Sequence, residues 1–91
     1  MKIDFSKIEI KDIEDNVIVV DISKDLGNDM YFNTQDVAES DLGHDIYHKK
    51  EIEVGKKEAE MIRPYIDKGF KAIVKRELLP FLDEIIAGDH A

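Results

Sequence analysis

The chain has no cysteine among its 91 residues, which excludes disulfides and thiolate-bound metals. With nothing marking an oxidising compartment, an intracellular, cytoplasmic protein is the simpler reading. Hydroxyl nucleophiles are scarce as well. The serines are Ser6, Ser23 and Ser40 and the one threonine is Thr34; Ser23 and Thr34 are wanted as helix caps, Ser6 lies on the way into a hairpin, and Ser40 sits among acids. None has an obvious base beside it. The glycines are scattered, so no phosphate-cradling loop is present. No uninterrupted apolar run approaches the roughly 18 residues that span a bilayer. The opening Met1-Lys2-Ile3-Asp4-Phe5 is charged at alternate positions, which argues against a secretory leader. Positive charge is also short: 13 basic residues stand against 21 acidic ones, a net charge of −8, and such a field repels phosphate backbones and anionic headgroups. These absences predict a protein that is not an enzyme, needs no cofactor, and binds neither nucleic acid directly nor membranes.

What is present is a patterned, charge-rich chain. Residues 1–55 hold 14 acids and 6 bases, residues 56–91 hold 7 of each, so the acidity belongs to the first half. With 43% hydrophobic residues in periodic patterns the chain is expected to fold rather than remain disordered. Its length suits a single domain burying about 65% of its unfolded surface. Residues 7–22, KIEIKDIEDNVIVVDI, alternate apolar and charged positions and then run into Val17-Ile18-Val19-Val20; they predict a β-hairpin turning at Asp15-Asn16. A lone hairpin is marginal in water, and the remaining patterns are helical, which makes the fold class α+β: an N-terminal hairpin packed on three or four helices. The helices are predicted over 24–31 (Ser23 as cap, Leu26 and Met30 inward), 35–47 (Asn33 or Thr34 as cap; Ala38, Leu42 and Ile46 inward), 56–68 and 70–87. Ile52 and Val54 alternate with Glu51 and Glu53 as an extended segment. Gly55 and Glu58 resemble a capping box, Pro64 and Pro80 should bend their helices, and Gly69 separates them. Phe70, Ile73, Val74, Leu78, Phe81, Leu82 and Ile85 make the last helix the expected centre of the core. The tail 88–91 is expected to fray.

Two histidines lie four residues apart in His44-Asp45-Ile46-Tyr47-His48, a spacing close to that of helical zinc proteases. With about 100° per residue and Leu42 as reference, Ile46 falls near 40° and His44 and His48 near 200° and 240°. Both therefore face solvent, the general-base glutamate is replaced by the shorter Asp45, and no third ligand is evident. The pair is read as surface histidines, with an adventitious metal site as the minor alternative.

Other features carry less chemistry. DISKDLGNDM has acids and a glycine but lacks the closing glutamate of a calcium loop. Lys68, Lys71 and Lys75, near Arg63 and Arg76, share a face only if the helix runs unbroken through Gly69. Tyr31, Phe32 and Tyr47 are read first as core packing; left exposed, they would anchor a protein partner. The dense carboxylates of the first half are read as a solvated face, or else as an acidic decoy that mimics nucleic acid and occupies a DNA-binding protein.

Ile46-Tyr47, the charged turn Lys49-Lys50, the extended Glu51-Ile52-Glu53-Val54 and the helix opening Glu58-Ala59-Glu60 follow one another after the hairpin. In that order they resemble a pattern of small uncharacterised proteins of bacteriophages and prophage-like elements, over about residues 7–80. Gly55 departs from it, standing where those proteins more often have a Ser or Thr cap. The resemblance implies an accessory or virion-assembly role in a mobile element and transfers no site residues. The expected function is a non-enzymatic protein-interaction or assembly accessory, acting on a protein partner or on itself through an exposed aromatic patch or the free edge of the hairpin.

Overall fold

The fold, from a computed structural model, is described for residues 1–88. In chain order the elements are β1 (Lys2–Asp4), β2 (Ile8–Lys11), β3 (Val17–Val20), α1 (Ser23–Asn33), α2 (Val37–Lys49), β4 (Glu51–Glu53), α3 (Lys56–Gly69) and α4 (Ala72–Gly88). The architecture is α+β, with helices outnumbering strands in residues.

The alternation in Ile8-Glu9-Ile10-Lys11 buries both isoleucines and exposes both charges. β2 pairs antiparallel with β3, from Ile8↔Val20 to Lys11↔Val17, so the hairpin is as expected but its turn is not. The connection spans residues 12–16, closed by the Asp12 carboxylate, which accepts the N–H groups of Glu14 and Asn16 at 2.9 Å each. Among non-glycine residues of that turn, Asp15 alone takes a positive φ, 64°; Asn16 does not.

The helices do not supply all of the hairpin's support. β1 and β4 form a second two-stranded sheet, in the register Lys2↔Glu53, Ile3↔Ile52, Asp4↔Glu51. Phe5 ties the two sheets together: its N–H donates to the Lys50 carbonyl and its own carbonyl accepts from the Ile22 N–H, both at 2.8 Å. Its ring is fully buried.

α1 runs longer than the predicted 24–31, and Ser23 is not its cap. Ile22 holds the N-cap position, while the Asp21 carboxylate accepts both the Ser23 N–H at 2.9 Å and the Ser23 hydroxyl at 2.6 Å. α2 starts two residues later than predicted because Asp36, not Asn33 or Thr34, caps it, its carboxylate accepting the Ala38 N–H at 2.8 Å. Thr34 instead accepts the Asp36 N–H at 3.0 Å and bonds the Glu39 carboxylate at 3.1 Å. Of the predicted inward stripe, Ile46 is fully buried, Leu42 half-buried and Ala38 exposed; Gly43 takes the buried place. A side chain there would collide with α1, since a Cβ on Gly43 would lie 2.8 Å from the Met30 Cβ and 2.9 Å from the Gly27 carbonyl oxygen. The two glycines let the helices touch backbone to backbone.

α3 forms as expected, with Ala59, Ile62 and Ile66 inward. The Glu58 carboxylate accepts the Gly55 N–H at 3.0 Å; this is half a capping box, because glycine has no side chain to return a bond. Pro64 and Pro80 lie inside α3 and α4 on exposed positions, where the carbonyl each leaves unbonded meets water. α3 packs on α1 and α4, and α4 packs on α3 and β2, so the last helix shares the centre of the core with α3, whose Ala59, Ile62 and Ile66 are fully buried. α4 buries Val74, Leu78 and Leu82, leaving Phe81, Ile73 and Ile85 half covered, and Phe70 precedes it in extended conformation. Gly88 closes α4 instead of opening a frayed tail; residues 89–91 of that expectation lie outside the described residues.

Candidate interaction surface

Five side chains singled out in the sequence meet in one place. α1 and α2 cross at Gly27 and Gly43, and beside the crossing lies a shallow groove of about 240 Å³ whose lining includes Tyr31, Phe32, His44, Tyr47 and His48. The rings form a chain. Tyr31 meets Phe32 edge-on with centroids 5.3 Å apart and His44 at 6.2 Å; His44 and His48 are 4.4 Å apart, and His48 meets Tyr47 at 5.0 Å. Core packing of Tyr31 and Phe32 is overturned: they are 48% and 73% exposed, since α1 turns Leu26 and Met30 inward and continues past them to Asn33. Tyr47 is half-buried. His44 and His48 are exposed, where the helical angles put them. Among the described residues no group of three or more His, Asp or Glu side chains is placed to hold a metal ion.

The second surface is the outer edge of the hairpin. Val17, Ile18 and Val19 are 61%, 41% and 56% exposed, although a continuous β-branched run ordinarily marks a strand covered on both sides. Geometry explains it. The Asp12 N–H donates to the Asn16 carbonyl at 3.0 Å, so alternation along the ladder makes Ile10–Ile18 and Ile8–Val20 the bonded pairs. Val17 and Val19 then turn their N–H and C=O groups away from β2, and among the described residues no further strand takes them. Cross-strand partners share a face, so Ile18 lies on the core side beside Ile10 and Val17 and Val19 on the solvent side beside Lys11 and Glu9. α4 packs on β2, and its cover stops short of Ile18. Ile13, at the loop tip, is almost wholly exposed.

The remaining candidates separate. The chain is extended at Phe70, between α3 and α4, so Lys68, Lys71 and Lys75 do not share one continuous helical face. Arg63 pairs with Asp83, and Lys75 with Asp67 at 3.2 Å. The Arg63 guanidinium, as hydrogen-bond donor first and as charge second, holds the Asp83 carboxyl below its ordinary range. Asp25 and Asp29 of the DISKDLGNDM segment stand on helix α1 rather than around a loop, in keeping with the absence of a calcium-loop pattern there. Burial pushes the Tyr65 phenol upward, with the Glu39 carboxylate, which accepts its O–H at 3.0 Å, acting in the same direction. Among the described residues no helix is long and apolar enough to cross a membrane. Comparison with protein-family models, curated proteins and solved structures gives no match.

Proposed function

We propose that this chain is a non-enzymatic protein-interaction or assembly accessory, of the kind phages and mobile elements carry, that receives a strand of its partner on the outer edge of β3. The observation that carries the reading is the free edge itself: outward backbone groups at Val17 and Val19, flanked on both faces by exposed β-branched side chains. Natural sheets blunt such edges with charge, proline or a bulge, and β3 has none of the three between Asn16 and Asp21. An edge of this kind gives main-chain bonds for affinity and apolar side chains for area. The acidic-decoy reading has weaker support, because several first-half carboxylates are engaged within the chain: Asp4, Asp12 and Asp21 accept hydrogen bonds from their own turns, and Asp45 pairs with Lys49.

Val19→Pro tests it. Proline removes the outward N–H while leaving the bonds to β2, which is where edge strands tolerate it. A partner captured from a native-host lysate by the parent chain should be lost with this variant. A partner kept by Val19→Pro but lost with Phe32→Ala would move the function to the α1/α2 groove. A nucleic-acid-binding partner kept by Val19→Pro and released at high salt would establish the decoy instead.

A further inference from the structure

The ends of β3 carry more information than its middle. At the loop end stand Asp12, Glu14 and Asp15, the last two exposed; at the helix end stands Asp21, also exposed. Asp21 is held ionised, first by the hydroxyl and then by the N–H of Ser23. The free edge is thus a four-residue uncharged track, Val17–Val20, with three carboxylates at the loop end and, at the helix end, the one carboxylate of Asp21, which lies within the field of Lys50 and Lys24. We infer that its occupant is an extended segment of a basic partner, β-branched and apolar in the middle and carrying Lys or Arg at both ends.

A second copy fits less well. Outward groups at Val17 and Val19 allow a two-fold antiparallel pairing centred on Ile18, and that arrangement brings the loop-end carboxylates of each copy toward Asp21 of the other. Like charges directly opposite destabilise a strand pair, whereas opposite charges stabilise it. The net charge of −8 on each chain adds a long-range repulsion between copies and an attraction for a basic partner. Within the track, the added strand sets one row of side chains beside Ile18 on the core side and the other beside Val17 and Val19. Basic ends match the edge in either strand direction, because both ends of β3 are acidic.

The inference rests on the strand-addition reading, and the test separates the two. The probes are blocked heptapeptides: Lys-Thr-Val-Val-Val-Thr-Lys, the same peptide with glutamate at both ends, and the lysine-ended peptide with proline at its central valine. The lysine-ended peptide should bind, weaken with added salt, and lose binding to Val19→Pro; the proline-containing peptide should not bind. The glutamate-ended peptide should bind about tenfold more weakly, as expected for exchanging attraction for repulsion at both ends of the track. In a chain carrying Asp15→Asn and Asp21→Asn the two peptides should bind nearly alike. Asparagine keeps the positive φ at residue 15 and an acceptor for Ser23, so this variant reads charge without disturbing the edge.

If both peptides bind the parent equally and both are lost with Val19→Pro, strand addition stands and the basic partner is wrong. If neither binds, or binding ignores Val19→Pro, the strand-addition reading fails with it. Self-association in sedimentation equilibrium that strengthens with salt and disappears in Val19→Pro would make the occupant a second copy and overturn the inference.

Discussion

Phe5 and Phe32 are the same side chain in opposite circumstances, one fully buried between two sheets and one 73% exposed beside a groove. Truncating a buried phenylalanine costs about 3–5 kcal/mol, a large share of the roughly 5–15 kcal/mol that holds a domain together. Phe5→Ala should therefore lower the midpoint of urea unfolding sharply, whereas Phe32→Ala should change stability by less than about 0.5 kcal/mol. The distinction was poorly legible in the sequence. Phe5 ends a short opening stretch for which no element is predicted, and Phe32 lies beyond a helix predicted to stop at Tyr31, so no period tells the side of either. Extending α1 to Asn33 puts Phe32 about 200° from Met30, away from the core. Asp21 offers a second test at this scale. Its carboxyl is held below the ordinary 3.8 by the Ser23 hydroxyl first and the Ser23 N–H second. A lowered folded-state value means that the stabilisation is complete above the ordinary value and is lost as pH falls through the folded one. Asp21→Asn should shrink the fall in Tm between about pH 6 and about pH 2.5 relative to the parent, measured by circular dichroism. An unchanged fall would show that the Asp21–Ser23 bonds contribute nothing to acid stability.

The elements that were legible are those whose period repeats within their own length. Ile8 and Ile10 alternate, and Ala59, Ile62 and Ile66 recur at helical spacing, so β2 and α3 appear where expected. β1 was not legible: three residues are too few to show a period, and their partner strand begins at Glu51. The start of α2 was missed because Asn33, Thr34 and Asp36 are all good caps, and only the geometry of the turn chooses among them. Gly27 and Gly43 lower the helix propensity of their segments and are the points where the two helices meet. Two effects oppose at Gly43. Alanine should gain about 1 kcal/mol in helix propensity, but its Cβ would stand 2.8 Å from the Met30 Cβ and 2.9 Å from the Gly27 carbonyl oxygen. The second obstacle is backbone, which moves only with its helix, and overpacking of this kind costs about 1–3 kcal/mol. Gly43→Ala should thus destabilise the chain in denaturant titration, and Gly88→Ala, where none of the described residues stands near the new Cβ, should not. A more stable Gly43→Ala would mean that α1 and α2 can separate without loss.

At the scale of the whole molecule, charge acts on the fold and on the proposed binding with opposite signs. The ion pairs on the surface, Lys49–Asp45, Arg63–Asp83 and Lys75–Asp67, are all substantially exposed, and exposed pairs contribute about 0–1 kcal/mol each. Against them stands an excess of eight negative charges on a body of 41 × 31 × 22 Å. At 0.1 M ionic strength the screening length is about 10 Å, so salt removes most of the repulsion between distant carboxylates and less of the attraction within pairs in contact. Repulsion should win: raising sodium chloride from about 0.02 M to about 0.5 M should increase Tm by roughly 5 °C, the shift that about 1 kcal/mol produces in a domain of this size. A Tm that falls over the same range would mean that the ion pairs outweigh the net charge. The same salt series should weaken the lysine-ended peptide on the edge of β3, because that attraction acts between exposed charges and is screened in turn. A chain that becomes more stable while it binds less tightly separates the acidity the fold tolerates from the acidity the edge uses.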